Sequence, residues 1–278
     1  MTLKTLLQQN KPLIMCILNL TPDSFSDGGS HTDRGNAVHF ALRMVREGAD
    51  IIDVGGESTR PGSKRIAAEE QIRRVESVIA ALRKTLPGGI PISIDTTRSE
   101  VAEAAIDAGA SILNDVRAGR DDDEMFRLAA KKNLPLILMH MQGTPLTMQQ
   151  DPHYDDAVAE IRSFLLEQAD LARQAGVAKD SILIDPGIGF GKTKDHNRQL
   201  MANLKAFVDT GYPVLLGASR KRFLGAINQE EEPRNLVGAT CATTVLGVQA
   251  GVRIFRVHDV MPNRQAADVA HYVRPESF

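Results

Sequence analysis

The chain has 278 residues, 42% of them hydrophobic and 24% charged, with 33 Lys and Arg against 35 Asp and Glu for a formal net charge of −2. Such a balance suits a folded chain with a sizeable core and excludes the disordered and fibrous classes, while scattered basic residues exclude the charged stripe that a nucleic-acid binder needs. Cys16 and Cys241 stand outside any CxxC pair, and neither a signal-peptide pattern at Met1–Lys11 nor an apolar run of membrane length is present, so the expectation is a cytoplasmic protein acting on small molecules, with no nucleic acid and no membrane as partner.

In chain order, short apolar runs recur at 13–20, 50–54, 90–95, 111–115, 134–140, 181–186, 213–218 and 252–258. They are nearly continuous rather than alternating, as in parallel strands buried on both faces. Between them, three-to-four spacing predicts helices at Asn36–Glu47, Ala67–Lys84, Ser99–Ala108, Asp122–Lys131, Asp155–Ala175, Asn197–Val208 and Asn235–Ala250, with a last one from about Asn263. Gly48, Gly109, Gly176 and Gly251 each fall where a helix should end and a strand soon begin, as left-handed caps would. One strand–helix unit is thus reused eight times without a break in composition. The fold class that follows is α/β, one domain over 1–278 forming a single (β/α)8 TIM barrel; a doubly wound open sheet is the second choice.

In such a barrel the functional mouth lies at the C-terminal ends of the strands. Those ends carry Asn19, Asp53, Asp95, Asn114 with Asp115, His140, Asp185, the Ser219-Arg220-Lys221 triplet, and Arg256 with His258. Any single aspartate there is more often a turn former or helix cap, but barrel closure would bring all of them around one ligand. His140 and Cys241 read as packing or wall residues. Segments 21–35 and 55–66 exceed what a strand–helix connection requires and read as long mobile loops over the mouth; 141–154 reads as a third lid or an ordered wall.

The stretch DPGIGFGK (185–192) is not a phosphate loop of the Walker type, since Pro186 stands where that pattern needs glycine. A carboxylate ending a buried strand needs matched donors, such as adjacent NH and NH2 groups of a flat heterocycle. The glycines would leave room for the ring or for the turn, Phe190 would wall a second ring, and Asn114 and Asp95 would complete the edge. Lys221 and Arg220 suit a carbonyl or an anion, Arg256 and His258 a phosphate group, and Thr59 with Arg60 another anion.

These residues belong to LNLTPDSFSDGG, DVGGESTRPG, SIDT, LNDV, LMHMQGTPLTMQ, DPGIGFGK, GASRK and RVHDV, in whose order and spacing the chain resembles the dihydropteroate synthase family over nearly its whole length. The resemblance implies a homodimeric transferase joining 6-hydroxymethyl-7,8-dihydropterin pyrophosphate to p-aminobenzoate, releasing pyrophosphate. It puts the pterin on Asp95, Asn114, Asp185 and Lys221. Pyrophosphate falls to Asn19, Thr59, Arg60, Arg256 and His258, and p-aminobenzoate to Phe25, Thr59, Arg60, Pro61, Phe190, Ser219 and Lys221. It also implies a Mg2+ ion near Asn19 and Asp27. Asp95, Asp185, Lys221, Arg256 and His258 would be the catalytic set. A pterin-binding protein without catalysis, or a pterin-dependent methyltransferase of the same fold, is the alternative.

Overall fold

The computed structural model describes residues 2–20 and 30–273, and the side chains of residues 30–33 fall outside that description. Eight parallel strands appear in chain order: β1 (Leu13–Asn19), β2 (Ile51–Gly55), β3 (Ile92–Asp95), β4 (Ile112–Asp115), β5 (Leu136–Met139), β6 (Ile182–Asp185), β7 (Leu215–Leu216) and β8 (Ile254–Val257). From β1 to β6 each strand pairs with its sequence neighbour, β7 pairs with β8, and β1 also pairs with β8. Between β6 and β7 the ring closes through a bridge from Ile184 to Val214. The (β/α)8 reading therefore holds and the open sheet does not. Strand β7 is the shortest because Pro213 has no N–H to give the ladder and Gly217 ends it.

The helices on the outside are α2 (Ser30–Arg46), α3 (Ala68–Thr85), α4 (Ser99–Asp107), α5 (Glu124–Lys132), α6 (Ala157–Gln174), α7 (Lys194–Ala202), α8 (Leu204–Val208), α9 (Arg222–Asn228), α10 (Val237–Ala250) and α11 (Val260–Tyr272). In α6, Ile161, Leu165 and Ala172 are buried at the spacing the sequence shows. Gly48, Gly109, Gly176 and Gly251 all have φ near +100°, as helix-ending residues. Several boundaries differ from the sequence reading, and α2 begins at Ser30 rather than Asn36. Helix α7 begins at Lys194 because Thr193 and His196 cap each other reciprocally. Helix α11 begins at Val260 because Pro262 occupies its first turn, where no N–H is required. Helix α9 lies in a stretch to which the sequence reading assigned no element.

A further helix, α1 (Leu3–Gln8), precedes β1. Its Leu3 and Leu6 join Leu13, Met15, Ile51, Ile112, Ile137, Leu183, Leu215 and Ile254, the inward residues of the lower barrel, in one apolar cluster. Arg253 holds this helix in place, donating to Leu7 O at 2.8 Å and Gln9 O at 2.6 Å. The other large cluster fills the space between strands and outer helices. The barrel is thus dry and apolar at its N-terminal end and polar above.

Candidate active site

Inward residues of the upper barrel carry the chemistry because side chains alternate along each strand. The register sets Asp53 beside Ser93, Gly55 beside Asp95, and Asp95 beside Asn114. Opposite them, Arg256 rises from β8 and donates from Nε to Asp53 Oδ2 at 2.6 Å and from Nη2 to Asp95 Oδ2 at 2.7 Å. Asn114 Nδ2 donates to Asp53 Oδ2 at 3.3 Å. Burial pushes the Asp95 carboxyl up to about 7, with Arg256 opposing and Asp53 adding to the rise. Burial alone would lower the Arg256 guanidinium, but Asp53 and Asp95 hold it well above its usual value. Two carboxyl groups around one guanidinium leave acceptor oxygens facing the mouth, which suits a ligand with N–H donors.

Asp185 ends β6 on the same floor. Its Oδ1 accepts from Gly187 N at 2.7 Å, and burial pushes the carboxyl up to about 6 against the pull of that N–H, of Lys221 and of Arg256. Gly187, Gly189 and Gly191 have φ of +68°, +82° and +64°. An added Cβ at Gly187 would stand 1.9 Å from His140 O, so the glycines serve the turn rather than ring clearance. At Gly217 and Gly55 a Cβ would stand 3.7 Å from Asp185 Oδ2 and 3.6 Å from Asp95 Cβ, at ordinary contact distance beside the two carboxyls. The turn sets Phe190 beneath Lys221, whose Nζ lies 3.7 Å from the ring centroid. Burial and Arg256 push the Lys221 amine down to about 7.

Ser219 Oγ lies 3.0 Å from His258 Nδ1 and accepts from His258 N at 3.2 Å. Burial, then Arg220 and Arg256, push the imidazole down to about 3. In the neutral tautomer in which Ser219 Oγ–H donates to Nδ1, Nε2–H is the free donor. Arg220, with φ of +55°, is clamped by Asp259 at 2.9 and 2.5 Å, which leaves Lys221 and not Arg220 as the cation facing the ligand.

Asn19 ends β1 with its side-chain oxygen over Gly55, where a Cβ would come within 3.4 Å of it. Phe25 and Asp27 lie outside the described residues. The connection after β2 is tied down: Ile66 N donates to Glu57 Oε1 at 2.8 Å, Gly62 N to Pro145 O at 2.9 Å, and Arg65 pairs with Asp121. Thr59 lines a cleft with Glu57, Asp95, Thr96, Val116 and Met141, whereas Arg60 and Pro61 are exposed at the rim. The 141–154 segment is a wall. Arg117 and Arg120 hold its Gly143 and Met141 carbonyls, Met148 is buried, and Gln149 Nε2 donates to Gly189 O at 3.0 Å.

The structure thus gathers Asp95, Asn114, Asp185, Lys221, Arg256, Phe190, Ser219 and His258 at one end of the barrel. Asp115 is instead a turn former, accepting from Arg117 N and Gly119 N at 2.8 and 2.6 Å. The sequence reading counted Asp53 among the strand ends at the mouth without giving it a contact, and left Lys192 aside. Asp53 is two residues before Gly55 on the inward face, which period-two counting along β2 would have shown. Lys192 has no such signal, because only the folded turn buries it.

A family model described as "Pterin binding enzyme" matches residues 15–258. A dihydropteroate synthase from Synechocystis sp. is 46% identical over 257 residues, covering 92% of this chain and 88% of that protein. The solved structure of Xanthomonas albilineans dihydropteroate synthase with 4-aminobenzoic acid matches with a TM-score of 0.88 at 44% identity, over 95% of this chain and 93% of the other. The same enzyme in complex with 7,8-dihydropteroate matches with a TM-score of 0.84 at 41% identity, over 95% and 94%. With fold, mouth chemistry and likeness over nearly the full length in agreement, the chain belongs to the dihydropteroate synthase family of pterin binding enzymes.

Proposed function

We infer that the chain condenses 6-hydroxymethyl-7,8-dihydropterin pyrophosphate with p-aminobenzoate to give 7,8-dihydropteroate and pyrophosphate. The carrying observation is the buried floor of Asp185, Asp95 and Asn114 below Gly217 and Gly55, which offers acceptors to a flat ring with adjacent NH and NH2 groups. Phe190 and Lys221 stand beside it, where the second ring and the joining carbon would lie.

In this reading the C–O bond to pyrophosphate breaks first and its electron pair leaves with the phosphate. The resulting pterin cation is stabilised by its own ring and by Asp95 and Asp185. The aniline nitrogen is nucleophilic at neutral pH, so it forms the C–N bond and sheds a proton without a strong general base. His258 Nε2–H, with Asn19, Thr59 and Arg60, receives the charge developing on the leaving group. Arg256 belongs to both sites, because the hydrogen bonds that hold it to Asp53 and Asp95 put its charge between floor and mouth. Among the described residues no group of three or more His, Cys, Asp or Glu could hold a metal. Asn19 still fits Mg2+ as one oxygen ligand, since that ion keeps waters and shares phosphate oxygens. Bound there with Asp27, Mg2+ would neutralise charge on the pyrophosphate.

We place this activity in the cytoplasm and in a homodimer. Unpaired Cys16 and Cys241 support the first, and Leu246, Met261 and Val269, apolar and exposed on α10 and α11, support the second. Among the described residues no helix is long and apolar enough to cross a membrane.

The test is direct: purified protein, both substrates and Mg2+ should yield dihydropteroate and pyrophosphate in equal amounts. Pterin binding without product would overturn the assignment. Omitting p-aminobenzoate tests the order, since pyrophosphate should still appear, slowly, if the C–O bond breaks first.

A further inference from the structure

A lysine buried without a carboxylate partner is costly, and a chain keeps one only where it is held by other acceptors. Lys192 is such a residue. It is 2% exposed, and its Nζ meets Phe190 O at 2.9 Å, His140 Nδ1 at 3.0 Å and His140 O at 3.4 Å. These three contacts join two segments that build the site. His140 directly follows β5, and its N donates to Asp185 O at 3.0 Å. Phe190 belongs to the glycine turn that follows Asp185.

We propose that Lys192 is a positioning residue for both substrates: its buried ammonium clamps the Phe190 backbone to His140, fixing the ring under Lys221, and sets a fixed positive charge behind Asp185. The inference rests on the functional reading above, which makes Asp185 the pterin acceptor and Phe190 the wall of the second substrate.

Three acceptors match the three hydrogens of an ammonium ion. They do so because His140 is neutral: burial, then Lys192 and Arg120, push its imidazole down to about 2, and in the Nε2–H tautomer Nδ1 accepts. The ring is held in place by Phe164, 4.9 Å away edge-on, and by Tyr154 at 5.9 Å. Burial lowers the Lys192 amine, and Lys221 and Arg120 repel its charge, while Asp185 favours it. The three contacts on Nζ are the geometric ground for the charged form against that burial. Asp185 in turn faces Gly187 N–H, Lys221, Arg256 and Lys192, all of which favour its ionised form. Removing the Lys192 charge therefore raises the pH at which Asp185 ionises, and with it the pH at which a pterin can bind.

The experiment uses the full chain. In the wild type, nitrogen NMR of Lys192 Nζ at pH 7 should show three attached hydrogens; an amine with two would overturn the charge assignment. In Lys192→Met, the onset of binding of a pterin without phosphates should move to higher pH. The KM for p-aminobenzoate should also rise by roughly ten- to a hundredfold, with a smaller change in kcat. A folded Lys192→Met with wild-type onset and wild-type KM would overturn the proposal. If that variant does not fold, His140→Leu removes one acceptor and should move the onset in the same direction, and an unmoved onset would count equally against it. Should the wild type bind pterin and form no dihydropteroate, the functional reading fails, while the pH onset still decides the role of Lys192.

Discussion

In the proposed reading, Asp185 trades stability for binding at the scale of a single residue. Its carboxyl is pushed up to about 6 by burial, above the value near 3.9 of an exposed aspartate in an unfolded chain. The folded protein holds the extra proton between those values, so this contribution to stability is complete at low pH and is lost as pH rises through 6. A pterin with two N–H donors needs the ionised form, so its affinity should grow as pH rises through the same point, which calorimetry from pH 5 to 8 would show. Asp185→Asn should weaken pterin binding by about 2–5 kcal/mol, because donors then face an amide. Without ligand the same variant should unfold at higher temperature than wild type at pH 8, by a difference on the order of 1–3 kcal/mol. An unchanged pterin affinity would remove Asp185 from the site. Arg256 is the opposite case. Arg256→Ala leaves Asp53 and Asp95 without their buried partner and should cost about 3–5 kcal/mol of stability, read by denaturant titration, in addition to losses in binding.

At the scale of elements, the turn after β6 decides whether the site exists. Its three glycines all adopt left-handed backbone, and Gly187 packs directly on the His140 carbonyl. Gly187→Ala should cost about 2–5 kcal/mol, from the φ penalty together with overpacking, and should abolish pterin binding by moving Asp185. A variant with normal melting temperature and affinity would contradict that packing. The glycines were visible in the sequence, but two uses stood open, room for a ring or a turn, and only the backbone angles chose between them. The same holds for 141–154, where lid and wall were equal readings until the carbonyls of Met141 and Gly143 were seen to be held by Arg120 and Arg117. Arginine spacing on one loop says nothing about carbonyls on another.

At the scale of the whole molecule, the barrel is sealed below by α1, and its polar residues gather at the other end. Leu6→Ala should lower stability by about 2–4 kcal/mol through a cavity at the base. Pterin affinity at 25 °C should stay near wild type, since the polar floor lies at the other end. A parallel loss of affinity would show that the base and the mouth are coupled. Helix α1 escaped the sequence reading because six residues with three leucines carry too little periodicity to count as an element.

The sequence by itself determined the repeated strand–helix unit, the barrel, the end at which the site lies, and most of the residues there. It could do so because burial on both faces, helical spacing and glycine caps are local properties, and because barrel closure converts strand ends into neighbours wherever they stand in the chain. Only the tertiary structure decided how those residues share their charges. Arg256 lies between Asp53 and Asp95, His258 against Ser219, Arg220 against Asp259, and Lys192 beneath the turn that holds Phe190. Each of these pairings crosses from one strand end to another or depends on the path of a turn. Electrostatic partners are chosen by distances of a few ångströms and by burial, neither of which a linear pattern carries.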